Sequence, residues 1–158
     1  MPISPYLAAL RQLVGHRLLM LPGVAAILHD EQDRILFIRR RDNGAWGLPA
    51  GAVDPGETPA RAIVREVSEE TGLAFVPTKL VGVLGGHAGR SRYPNGDEVE
   101  YTTLVFQGGV VGGSLHAVDG EAIAFRYFAL TELPEGGRPY PVAWYQRALN
   151  GAPTDFNS

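Results

Sequence analysis

Gly51-Ala-Val-Asp-Pro-Gly-Glu57-Thr-Pro-Ala-Arg-Ala-Ile-Val-Arg65-Glu66-Val-Ser-Glu69-Glu70-Thr-Gly72-Leu73 is the stretch on which the reading of this chain turns. It predicts a helix over 58–71, with Thr58 as N-cap, Pro59 at the first helical position and Gly72 as the C-terminal cap. At about 3.6 residues per turn, Ala60, Ile63, Val64, Val67 and Thr71 gather on one side, which should face a sheet. Glu66, Glu69 and Glu70 gather on another side at spacings i, i+3 and i+4. Arg61 and Arg65 are expected to point elsewhere, with Arg65 near enough to meet the acids. Like charges at such spacing repel by roughly 0.2–0.5 kcal/mol per pair when exposed, so the acidic face gains only if a cation sits there. Mg²⁺ takes one or two carboxylates and completes its shell with water and substrate phosphate. A lone E-x-x-E-E is more often a solvated face; here the flanking residues shift the weighting.

Upstream, Gly23 to His29 reads as a buried strand, Asp30 to Asp33 as a hairpin turn and Ile35 to Arg40 as the return strand. Asp42-Asn43-Gly44 and Asp54-Pro55-Gly56 read as turns. Downstream, Leu80 to Leu84, Tyr101 to Phe106 and Ile123 to Leu130 read as strands. Gly85 to Gly96 reads as a flexible loop and the glycine-rich run to Gly113 as a connection. Ser4 caps a helix over Pro5 to Val14, making residues 1–16 an N-terminal helical extension. Pro141 to Leu149 predicts a C-terminal helix, and 151–158 a flexible tail. Helices and strands alternate irregularly, so the expected class is α/β with a mixed sheet rather than a purely parallel one. With no repeat and no linker, a single domain over 1–158 is expected.

The chain has 158 residues, 45% apolar and 20% charged, and these values belong to a globular domain. It contains no cysteine, which excludes disulfides, thiolate zinc sites and a cysteine nucleophile, and fits a cytoplasmic protein. A net charge of −3 offers no field for long nucleic acid. No apolar run reaches the length of a membrane span, and the first residues lack the pattern of a signal peptide. His16, His29, His87 and His116 are scattered, so no zinc site is assigned.

The stretch from Gly51 to Leu73 resembles the Nudix box, G-x5-E-x7-R-E-U-x-E-E-x-G-U, where U is aliphatic. Gly51, Glu57, Arg65, Glu66, Val67, Glu69, Glu70, Gly72 and Leu73 match every fixed position. The resemblance implies a Nudix-type α/β/α sandwich and a Mg²⁺-dependent hydrolase, with Mn²⁺ as an alternative metal. The substrate class it implies is a nucleoside diphosphate linked to another moiety: a nucleoside triphosphate, or a conjugate such as ADP-ribose or a nucleotide sugar. Glu66, Glu70 and the carbonyl of Gly51 match metal ligands. Glu69 matches a metal ligand or the group acting on the attacking water. Glu57 and Arg65 match residues that pair and orient those ligands. The competing reading is a Nudix module that senses a nucleotide without cleaving it. The cysteine-dependent isomerases of the same fold are excluded.

Outside the box, the resemblance points to Arg40, at the end of the second strand, as a phosphate contact. It also points to Glu121, before the last strand, as a catalytic base. Trp46 suits base stacking or core packing, and Tyr93 sits in the loop where substrate contacts arise. Glu98 and Glu100 alternate along a strand and share one face. The partner is thus a small nucleotide, with no membrane; a homodimer is left open. The downstream signatures of narrower Nudix groups are absent at their positions, so the substrate itself is not specified.

Overall fold

The computed structural model describes residues 4–134 and 140–156. In chain order the elements are α1 (Pro5–Val14), β1 (Leu19–Ile27), β2 (Ile35–Arg40), β3 (Trp46–Gly47), β4 (Ala50–Ala52), α2 (Pro59–Thr71), β5 (Leu73–Leu84), β6 (Arg90–Arg92), β7 (Glu98–Gly113), β8 (Ala122–Phe128), α3 (Val142–Asn150) and β9 (Asp155–Phe156). Short 3-10 turns occupy Gly86–Gly89 and Leu130–Glu132.

The larger sheet runs β4-β1-β7-β5-β9, with β6 also paired to β7. It is mixed, as expected: β1 runs parallel to β7 and β9 parallel to β5, while the other pairs are antiparallel. A second, three-stranded sheet, β3-β2-β8, was not expected. The hairpin predicted between residues 23–29 and 35–40 survives only as a bridge between His29 and Ile35. Beyond that bridge the strands part. β1 joins β7 through nine register pairs, from Leu19↔Val99 to Ile27↔Gln107, and β2 joins β8.

Alternation along β1 shows how the layers are built, since successive side chains of a strand face opposite ways. Val24, Ala26 and Leu28 pack with Ala62, Ile63 and Val67 of α2. Ala25 and Ile27 pack with Trp144, Tyr145 and Ala148 of α3. Helices therefore cover both faces, which is the α/β/α sandwich. Both layers draw on β2, with Leu36 on the α2 side and Ile35 and Phe37 on the α3 side.

Further expectations needed correction: the flexible loop expected over Gly85 to Gly96 holds a 3-10 turn and β6, which pairs with β7 through Arg90–Arg92. The glycine-rich run before Gly113 is the far half of β7, paired with Leu73–Pro77 of β5. Glycine there serves close packing: a Cβ on Gly108 would run into the carbonyl of Val76 and the ring of Phe75. The tail beyond Gly151 is held over 152–156, not loose. Thr154 donates to the Leu80 carbonyl at 2.7 Å, and Asp155 accepts from Trp144 Nε1 at 2.8 Å. Among the described residues no helix is long and apolar enough to cross a membrane.

Candidate active site

α2 starts and stops where its sequence dictates. Thr58 Oγ1 accepts from the Arg61 amide at 3.3 Å, and Gly72 takes the left-handed conformation at φ 71°, its N–H bonded to the Ser68 carbonyl. Its buried residues are Ala62, Ile63, Glu66, Val67, Glu70 and Thr71. Ala60 and Val64, expected against the sheet, are exposed. Glu66 and Glu70, expected on a separate acidic face, are instead 0% and 1% exposed. Glu69, on the helix rim, keeps 44% of its side chain exposed.

Two guanidiniums meet these acids in different ways. Arg65 grips Glu57 with a two-pronged fork, at 3.1 Å from Nε and 2.9 Å from Nη2. It also reaches Glu66 at 2.7 Å, Glu69 at 3.3 Å and the Ala52 carbonyl at 3.0 Å. It thus meets the acids, as its expected closeness to them allowed, although it turns toward them rather than elsewhere. This fork holds the Glu57 carboxyl below its usual range and the Arg65 guanidinium above its own. Arg40 stands 3.5 Å from Glu70, 3.5 Å from Asp42 and 3.8 Å from Glu121.

Burial raises the two inner carboxyls, Glu66 to about 7 and Glu70 to about 8. Glu70 Oε2 accepts from the Ala50 amide at 2.8 Å. Glu66 Oε2 is buried with no hydrogen-bond partner among the described residues. An orphaned carboxylate oxygen is expensive in a protein interior, and a hard divalent cation with oxygen ligands would satisfy it. As the side chains stand, no three His, Asp or Glu residues among those described form a ready-made cage. The donor set still fits Mg²⁺, which needs few carboxylates and takes the rest from water and phosphate. Gly51, on β4 opposite Val24, has its carbonyl beside Gly23, where a Cβ would lie 3.6 Å from it.

The loop after β7 brings in residues from far along the chain. The amides of His116, Val118 and Asp119 bond to the carbonyls of Thr71 and Glu69, so this loop caps the C-terminal end of α2. Arg41 ties the loop to β2 through the carbonyls of Gly120 and Glu121, at 2.7 and 2.8 Å. Glu121 is thereby set at Arg40. Asp119 joins the cluster: burial raises its carboxyl, and its charge acts on Glu70. Sequence reasoning singled out Glu121 but missed Asp119 and Asp42. The Asp119-Gly120-Glu121 string was visible, but nothing local placed it against α2.

Two further candidates make contacts of their own. Trp46 packs edge-on to Phe128, with centroids 5.2 Å apart, at the rim of the core. Tyr93 is 43% exposed, and its hydroxyl lies 3.3 Å from that of Tyr101. Glu100 is ion-paired to Arg90 at 2.7 Å.

Comparison with known proteins identifies the family and the fold. The chain is 38% identical over 129 residues to an ADP-ribose pyrophosphatase of Methanocaldococcus jannaschii, covering 79% of this chain and 72% of the relative. It is 34% identical over 125 residues to the human 8-oxo-dGDP phosphatase NUDT18, covering 75% of this chain but only 35% of that longer protein. A crystal structure of an ADP-ribose pyrophosphatase from Streptococcus suis superposes with a TM-score of 0.70 at 24% identity, covering 87% of this chain and 98% of that one; at that identity it supports the fold alone. The NUDIX domain model matches residues 20–148. With the box on α2, its buried carboxylates and this match over most of its length, the chain belongs to the NUDIX family of hydrolases.

Proposed function

We propose that this chain uses Mg²⁺, or Mn²⁺, to hydrolyse a phosphoanhydride bond in a nucleoside diphosphate linked to another moiety. The observation that carries the reading is the buried pair Glu66 and Glu70, one with an oxygen that no donor among the described residues satisfies. Folding alone gives no reason to bury two carboxylates on the sheet side of a helix.

Glu66, Glu69, Glu70 and the Gly51 carbonyl would hold the metal. Bound there, a divalent cation would neutralise anhydride oxygens and acidify a water. Glu57 fixes the Arg65 fork, which in turn sets the direction of Glu66 and Glu69. Arg40 offers a guanidinium to the phosphates, and Tyr93 a phenol to the group beyond them. Glu69 and Glu121 are the two candidates for the base that takes the proton of the attacking water, one on the helix rim and one on the capping loop. A cytoplasmic location, where nucleotides and Mg²⁺ are at hand, completes the reading.

The relatives named for ADP-ribose and for 8-oxo-dGDP mark two substrate classes to compare. Nucleoside-diphosphate conjugates come first, because of these two relatives the ADP-ribose pyrophosphatase is the more similar, at 38% against 34% identity, and the one covered over most of its length. The test is a screen of nucleoside triphosphates, oxidised nucleotides and conjugates with Mg²⁺ or Mn²⁺, with products separated by chromatography. Two monophosphates identify a conjugate hydrolase; a monophosphate and pyrophosphate identify a triphosphate hydrolase. Tight nucleotide binding without turnover of any compound would overturn the enzymatic reading in favour of a sensing module.

A further inference from the structure

Arg65 and Arg40 are exposed to nearly the same degree, 28% and 29% of their side chains. Yet they hold their acids differently. Arg65 makes contacts of 2.7–3.1 Å to Glu66 and Glu57, the lengths of committed charge-assisted bonds. Arg40 approaches three acids, Glu70 on α2, Asp42 in the turn that follows β2 and Glu121 on the capping loop, and stays 3.5–3.8 Å from each. It is shared among them and committed to none. Glu70, the most enclosed of the three, has its other oxygen satisfied by the Ala50 amide, so Arg40 is the cation facing Oε1.

We infer that Arg40 is an exchangeable counter-ion that couples metal entry to substrate binding. This rests on the metal reading given above. In the substrate-free protein the guanidinium lies 3.5 Å from Glu70 Oε1, and its charge repels a divalent cation approaching that oxygen. A phosphate offers Arg40 a better partner, with fork geometry and shorter bonds. Once Arg40 turns to phosphate, Glu70 is released to the metal. Phosphate and metal then favour each other's binding, and by linkage the effect is reciprocal. Arg65 cannot play this part, because its fork is fixed on Glu57 and the Ala52 carbonyl.

The inference makes an unusual prediction of sign. A phosphate-binding residue remote from these acids would leave metal affinity in the free protein unchanged when removed. Here, Arg40→Ala and Arg40→Gln should bind Mn²⁺ about tenfold more tightly than the parent without substrate, because a repelling neighbour charge is gone. Arg40→Lys, which keeps the charge, should stay near the parent. In EDTA the Ala and Gln variants should bind inorganic pyrophosphate more weakly. Mn²⁺ affinity is read from the electron paramagnetic resonance signal of the unbound ion and pyrophosphate affinity by calorimetry; circular dichroism verifies folding. Unchanged or weakened Mn²⁺ binding in both the Ala and Gln variants overturns the inference while leaving the metal site standing. Failure of Mn²⁺ to bind the parent and every variant overturns the metal reading beneath it as well.

Discussion

α2 and α3 cover opposite faces of one sheet, and each closes on a glycine in the left-handed conformation, Gly72 and Gly151. What they bury differs. α3 seats Trp144, Tyr145 and Ala148 in the core. α2 seats Ala62, Ile63 and Val67, but also Glu66 and Glu70 at 0% and 1% exposure. Burying apolar side chains stabilises the fold, whereas burying carboxylates opposes it unless each is paired. What α3 buries stabilises the fold, whereas α2 also buries two carboxylates at a cost in stability.

The sharpest way to break the comparison is Glu70→Gln. It should lower turnover of the true substrate by about 10²–10⁴-fold, the range for a group acting directly in the reaction. Its melting temperature in EDTA should be unchanged or higher, since the amide can still accept from Ala50. Near-normal turnover in Mg²⁺ would remove Glu70 from the machinery. The mirror experiment on α3 is Trp144→Ala, which should destabilise the fold by about 3–5 kcal/mol, the range for truncating a large buried aromatic. Urea unfolding measures it, and a loss below about 1 kcal/mol would mean that this helix carries little of the core.

A pH titration of the metal-free protein sharpens the same contrast. Glu66 and Glu70 hold folded pKa values of about 7 and about 8, above the ordinary 4.5. The folded state therefore binds protons that the unfolded chain releases, and stability must fall as pH rises. Their contribution is fully present below pH 4.5 and is lost as pH passes through about 7 and about 8. In EDTA the protein should lose stability steadily between pH 5 and 9, and Glu66→Gln/Glu70→Gln should flatten that slope. Glu57, whose carboxyl is depressed by Arg65, acts in the opposite direction: its stabilisation is lost in acid, as pH falls through its lowered value. A melting temperature that rises over pH 5–9 in EDTA would contradict the assignment. The smallest effect is expected at the cap: Thr58→Ala removes the bond to the Arg61 amide and should cost about 1 kcal/mol, with kcat changed far less than by Glu70→Gln.

The parts of the fold written in short-range sequence were legible. Ser4 and Thr58 as N-caps, Pro5 and Pro59 behind them, and Gly72 as the left-handed stop all stand where their chemistry requires. The long strands were not. β5 begins at Leu73, directly after the cap, and β7 runs on through the glycines to Gly113, because each completes the other's ladder at long sequence separation. Gly108 reads locally as a loop residue, yet is needed because a neighbouring strand passes too close for a Cβ. The separation of β1 and β2 into two sheets was equally hidden, since the turn over Asp30–Asp33 signals a hairpin whatever the strands do afterwards.

For the site, the sequence alone determined which acids share α2 and which arginine is close enough to join them, because helical periodicity is a local geometric fact. Only the tertiary structure decided that Glu66 and Glu70 lie on the buried side, that Arg40 stands between Glu70, Asp42 and Glu121, and that Asp119 belongs with them. Burial depends on what packs against a residue, and the capping loop reaches α2 through contacts with residues more than forty positions away, about which the spacing along the helix carries no information.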